Sequence, residues 1–171
     1  TERGIAENYG SGDVQLVENV PPDLVERVKQ SGAYNVVQSQ PALPVYIGLD
    51  VGGATTPHVK AIDPAPGAKS NPLQDVRVRQ ALSYAIDRKA ISERLMNGTT
   101  AAAGQILVDG LFGTSPRIKP LAYDPQKARA LLAEAGYKNG IELVFHGCND
   151  RLANDSKVVQ AVAQMWNRVG I

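Results

Sequence analysis

Apolar residues recur at helical spacing in several stretches of the chain. Val78, Ala81, Leu82, Ala85 and Ile86 follow the i, i+3, i+4, i+7, i+8 pattern, the stripe of an amphipathic helix buried along one face. Asp75 stands ahead of that stripe, where an N-cap belongs. Asp87 takes the same place ahead of Ile91 and Leu95, and Gly98 closes this second helix. A third helix is predicted to open at Asp124-Pro125, to bury Ala128, Leu131, Leu132 and Ala135, and to stop at Gly136. A last one starts near Ser156 and carries Val158, Val159, Val162, Ala163, Trp166 and Val169 before Gly170. Pro22 opens a shorter helix whose apolar face is Leu24, Val25 and Val28.

Strands are predicted where β-branched residues gather without that period: residues 14–18, 36–37, 45–49 and 141–145. Residues 51–72 are rich in Gly, Pro, Ala, Lys and Ser. That is longer than the ~12–15 residues usual for a structureless loop, so a mobile surface loop insertion is expected over 51–72. Residues 99–119 form a second irregular stretch, punctuated by Gly104, Gly110, Gly113 and Pro116. No internal repeat is present. Strands and helices in this order predict an α+β (mixed α/β) fold rather than a regular βαβ array.

Composition narrows the class without naming a function. A chain of 171 residues is expected to form one unit over 1–171 and to bury about two thirds of its unfolded surface. With 43% hydrophobic and 20% charged residues it reads as ordinary globular material. A net charge of +1 gives no reason to expect nucleic acid or an anionic membrane as partner. No apolar run approaches the ~20 residues of a membrane-spanning helix. The single cysteine, Cys148, excludes an internal disulfide and leaves the redox compartment open.

Candidate chemistry is sparse. There is no Gly-x-Ser-x-Gly elbow and no phosphate-binding loop; Gly52-Gly53 lacks the lysine and helix that would cradle a phosphate. His146, Cys148 and Asp150 are all possible metal ligands. With two histidines and one cysteine in the chain, however, a closed four-ligand site would need remote carboxylates. The run is therefore read as a polar loop after a strand, with no metal and no cofactor assigned. Cys148 has no base placed to activate it and reads as a free structural thiol. Arg77, Arg79, Arg88 and Arg94 read as a solvated face or as partners of Asp75, Asp87 and Glu93. Trp166 falls on the core stripe.

The wording of two stretches goes further than their periodicity. Residues 75–88 read D-V-R-V-R-Q-A-L-S-Y-A-I-D-R, and residues 123–137 read Y-D-P-Q-K-A-R-A-L-L-A-E-A-G-Y. Both resemble hallmark segments of the bacterial extracellular solute-binding proteins of family 5, the dipeptide/oligopeptide-binding components of ABC importers. Residues 11–21, 44–50 and 161–171 are similar to further family blocks in the family's order, with Asp50 where the family usually has Asn. The resemblance implies part of one lobe of a type II periplasmic-binding-protein-like, two-lobe fold. It implies a chain that begins at Thr1 inside a lobe connection and ends at Ile171 ahead of a further strand.

The same resemblance implies capture of a small, peptide-like solute and its delivery to an ABC permease in the membrane. The partners would be that solute, the permease and the second lobe of the same protein, in a periplasmic or extracellular setting. It implies binding and not catalysis. Tyr46, Met96, Asn97, His146, Asn149 and Arg151 would lie toward the interlobe cleft as ligand contacts. Each also has a plainer reading: Tyr46 as a half-buried strand aromatic, Met96 as core filler, His146 as the end of a strand. Two other classes stay open. One is a non-transport sensor or chaperone-like module of the same fold, and the other is a hydrolase using His146 and Cys148.

Overall fold

A computed structural model of the protein describes residues 12–18, 20–38, 44–149 and 151–171. Helix α1 spans Pro22–Ser31 and ends on Gly32 in the left-handed conformation. Strand β1, Val59–Ala61, is followed by a 3-10 turn at Pro72–Gln74 and helix α2, Val76–Tyr84. A short helix α3, Arg88–Ala90, runs on as a π-helical turn over Ile91–Leu95. Helix α4 covers Pro125–Glu134, β2 covers Ile141–Leu143 and α5 covers Asp155–Asn167. The two strands pair antiparallel with Val59 opposite Leu143 and Ala61 opposite Ile141. The α+β expectation holds.

The capping residues act as their chemistry predicts. Asp75 accepts from the Arg77 N–H, Asp87 from Ala90 and Asp124 from Lys127, each satisfying a donor that the first helical turn leaves unpaired. Helix α2 packs along α4. Their stripes meet in one core that includes Val78, Ala81, Leu82, Ala85, Ala128 and Leu132. Helix α5 closes it with Val162 and Trp166, whose indole N–H donates to the Leu82 carbonyl at 3.0 Å. Phe145 lies against Trp166 with ring centroids 5.0 Å apart. The β2 end is sealed by a close backbone crossing, where Ile141 N–H donates to the Gly170 carbonyl. A Cβ at Gly140 would collide with that carbonyl, and its φ of +95° is one that only glycine adopts freely.

Several strand and loop expectations need correction. Among the described residues, 14–18, 36–37 and 45–49 form no strand. Val37 and Val45 are 89% and 71% exposed: β-branched residues favour a strand only where a neighbouring strand exists to pair with. The strand expected over 141–145 is limited to Ile141–Leu143. The stretch 51–72 is not a structureless insertion, because it supplies β1. Beyond β1, Ile62 N–H donates to Gly140 O and Ala65 N–H to Gly136 O, and the Tyr137 hydroxyl donates to Lys69 O. Three residues are too few to display a period, and the prolines at 57, 64 and 66 hid the strand. The second signature helix, the one predicted from the Asp87 cap to Gly98, also differs, since none of its residues is buried and its end is π-helical.

Candidate functional site

One concavity of the surface begins with a buried asparagine. Asn71 is fully buried and precedes Pro72 at the start of the 3-10 turn. Its side-chain oxygen accepts from Leu73 N–H at 3.0 Å, and its amide donates to the carbonyls of Asp50 (3.1 Å) and Gly53 (3.0 Å). The Gln74 amide adds bonds to Gly53 O at 2.9 Å and Val51 O at 3.3 Å. These contacts tie the irregular segment 44–53 to the head of α2, and Ile47 and Leu49 pack against the core. A cleft of about 710 Å³ results, lined by Ile47, Leu49, Val51, Lys69, Gln74 and Arg79. Lys69 and Arg79 are held at its edge by donating to the carbonyls of Gln74 and Leu73. It can therefore offer an apolar wall and two cations to a small solute.

A second junction joins α1, the turn after the π-helix and the start of α5. Asn154, buried and at φ +59°, donates to the Leu95 carbonyl at 2.9 Å and to Asp23 Oδ1 at 3.2 Å. Lys157 pairs with Asp23 at 3.0 Å. The hydrogen bond from Lys157, reinforced by Asn154, holds the Asp23 carboxyl below its ordinary pKa. The Asn97 amide donates to Pro22 O at 3.0 Å. Beside this junction a smaller groove of about 220 Å³ is lined in part by Asp87, Ile91, Arg94, Leu95, Tyr123 and Met165.

The six sequence-derived candidates do not converge on one point. Tyr46 is 71% exposed next to the larger cleft, although it is not among the residues that line it. Met96 and Asn97 belong to the α1 junction, where Asn97's amide is engaged with Pro22. His146 and Asn149 are exposed on the chain that leaves β2. Arg151 is exposed, and its N–H donates to the Asp155 carboxylate that opens α5. Asp150, named with His146 and Cys148 as a possible ligand, lies outside the described residues. Among the described residues no three His, Cys, Asp or Glu side chains cluster as a metal cage.

Sequence reasoning missed the residues that shape the cleft: Asn71, Gln74, Lys69 and Arg79. The Asn-Pro step at 71–72 is an N-cap and first-turn signal that could have flagged Asn71. It also treated the arginines alike. Arg77 grips Asp75 through two side-chain bonds, at 2.6 and 3.0 Å. Arg88 folds back onto Ser83, donating to its carbonyl and its hydroxyl, and so braces the bend between α2 and α3.

Comparison with known proteins fits this architecture. The nickel-binding periplasmic protein of Escherichia coli is 29% identical over 179 residues, covering 94% of this chain and 30% of that protein. The dipeptide-binding protein of the same organism is 28% identical over 165 residues, covering 93% and 27%. Heme-binding protein A of Haemophilus influenzae is 36% identical over 106 residues, covering 58% and 19%. The crystal structure of NikA from Brucella suis in complex with Fe(III)-EDTA superimposes with a TM-score of 0.66 at 22% identity, over 100% of this chain and 34% of that one. The likeness to NikA establishes a shared fold. The chain spans about a fifth to a third of the length of these relatives. The profile of the bacterial extracellular solute-binding proteins, family 5 (middle), matches residues 4–171, through both hallmark segments and the helices they build, and the chain belongs to that family.

Proposed function

We propose that this chain forms part of one lobe of the substrate-binding component of an ABC-type importer. It helps to capture a peptide-like or other small solute and to present it to a membrane permease, in the periplasm or outside the cell. The observation that carries this reading is the family match over residues 4–171. The cleft beside segment 44–53 supports it, since an apolar wall with Lys69 and Arg79 at the edge suits a solute that combines a carboxylate with aliphatic groups. In this reading Tyr46, Met96, Asn97, His146, Asn149 and Arg151 are further candidate solute contacts, spread over the surface outside the lining of that cleft. Closure of a second lobe over the solute would desolvate it and strengthen each polar contact. The role is binding and not catalysis.

The test is solute release followed by transport. The protein is isolated natively from its host and denatured, and the small molecules set free are identified by mass spectrometry. ATP-driven uptake of the same solute into membrane vesicles is then measured with and without the protein. Released peptide and protein-dependent uptake are the expected result. A bound solute whose uptake ignores the protein would favour the sensor-type alternative. Catalytic turnover in place of binding would overturn the proposal.

A further inference from the structure

The chain contains two histidines, and the fold brings their rings together. Val59 pairs with Leu143, and Val144 N–H donates to the His58 carbonyl at 2.8 Å, so the ladder runs on past β1. His146, two residues beyond Val144, becomes the diagonal cross-strand neighbour of His58, within the reach of aromatic side chains. The ring centroids are 5.2 Å apart and the planes cross at 82°. Both residues are exposed, and among the described residues neither ring takes part in a hydrogen bond or ion pair.

The backbones beneath these rings are fixed. Val59 is buried next to His58. Gly147 presses so closely on α5 that a Cβ there would collide with the Val159 methyls. The two Cα positions are thus set by the core, while the rings stand in solvent and can turn.

We infer that His58 and His146 form a two-imidazole site for a divalent transition-metal ion. Imidazole nitrogen is a favoured ligand for nickel, copper and zinc. With metal–nitrogen bonds of about 2 Å, two rings sharing one ion have centroids roughly 5 Å apart, close to the 5.2 Å between these two rings. Both rings are exposed and can turn about their side-chain torsions to aim a nitrogen at a shared ion. No third His, Cys, Asp or Glu completes a cluster among the described residues, so the ion keeps open positions for water or for donor atoms of a small molecule. The site does not depend on the importer reading, although His146 also stands among the proposed solute contacts.

Nickel(II) titration of the tag-free whole chain by calorimetry tests it, in a Cys148→Ser background so that the exposed thiol contributes nothing. One ion per chain is expected. His58→Gln and His146→Gln should each weaken binding by at least the about 10–100-fold that loss of even a supporting partner costs at a metal site. Circular dichroism verifies that each variant keeps the parent fold. Copper(II) electron paramagnetic resonance should show hyperfine coupling to two nitrogens, reduced to one in either variant. Absence of binding in the parent chain would overturn the site, and so would a loss confined to one of the two variants. Because the readout is metal and not solute, failure here leaves the transport proposal standing, and the reverse also holds.

Discussion

Between Val76 and Glu134 the chain carries large apolar side chains in two opposite settings. In α2 and α4, Val78, Leu82 and Leu132 are 0%, 3% and 2% exposed. In the connection between those helices, Ile106, Leu107, Leu111, Ile118 and Leu121 are 60%, 42%, 46%, 48% and 41% exposed, and Phe112 is fully so. Both regions are apolar in composition. What differs is period and partner: a stripe repeating every three to four residues can be laid against another helix, whereas an aperiodic run broken by Gly110, Gly113 and Pro116 presents no face to bury. Hydrophobic content alone therefore says little about which part of this chain holds it together.

The contrast can be broken most forcefully at Trp166. Trp166→Ala removes the ring packed on Phe145 and leaves the Leu82 carbonyl without its donor. The expected loss is about 3–5 kcal/mol, read as a lower denaturant midpoint. Leu132→Ala, in the last turn of α4, should cost about 2–5 kcal/mol in the same assay.

Asn71→Ala comes next. It withdraws the buried amide that holds the carbonyls of Asp50 and Gly53, with an expected cost of about 1–3 kcal/mol. Hydrogen exchange should then accelerate through residues 50–53 and 73 ahead of the rest. Uniform acceleration across the chain would show that Asn71 does not specifically anchor the cleft wall.

Asp75 gives a smaller effect with a pH signature. The Arg77 guanidinium holds its carboxyl below the ordinary value of 3.8. A depressed folded-state pKa contributes stability that is present above the unfolded value and is lost as pH falls through the folded one. Asp75→Ala should cost about 0.5–2 kcal/mol at neutral pH as a lost cap, and the gap to the parent should close in acid below that range. A gap that widened on acidification would contradict the assignment. Smallest of all, Phe112→Ala should leave the midpoint within about 0.5 kcal/mol of the parent, because that ring is fully exposed. A large loss there would mean that the connection is packed against something in solution.

How much of this was legible follows the same division. The caps at Asp75, Asp87 and Asp124 and the stripes of α2, α4 and α5 are interactions between residues three or four apart, so the sequence displays them directly. The weaker second signature helix was less readable, because a cap and two apolar residues cannot reveal whether a partner face exists; none of its residues is buried. Strands were read worst. Val36, Val37 and Val45 carry strand propensity without a strand, whereas Val59–Ala61 forms one amid glycines and prolines.

Of the candidate site, Asn97 lies in the turn that follows the second helix, and its amide binds Pro22 O, a contact no local pattern announces. The sequence by itself determined the family and the helices, because both are written in contiguous stretches. Only the tertiary structure decided that Asn71 would shape a cleft, that Asn154 would join α1 to α5, and that His58 would meet His146 across a ladder. Those contacts close long loops between residues distant along the chain, and which loops close is set by how the whole core packs.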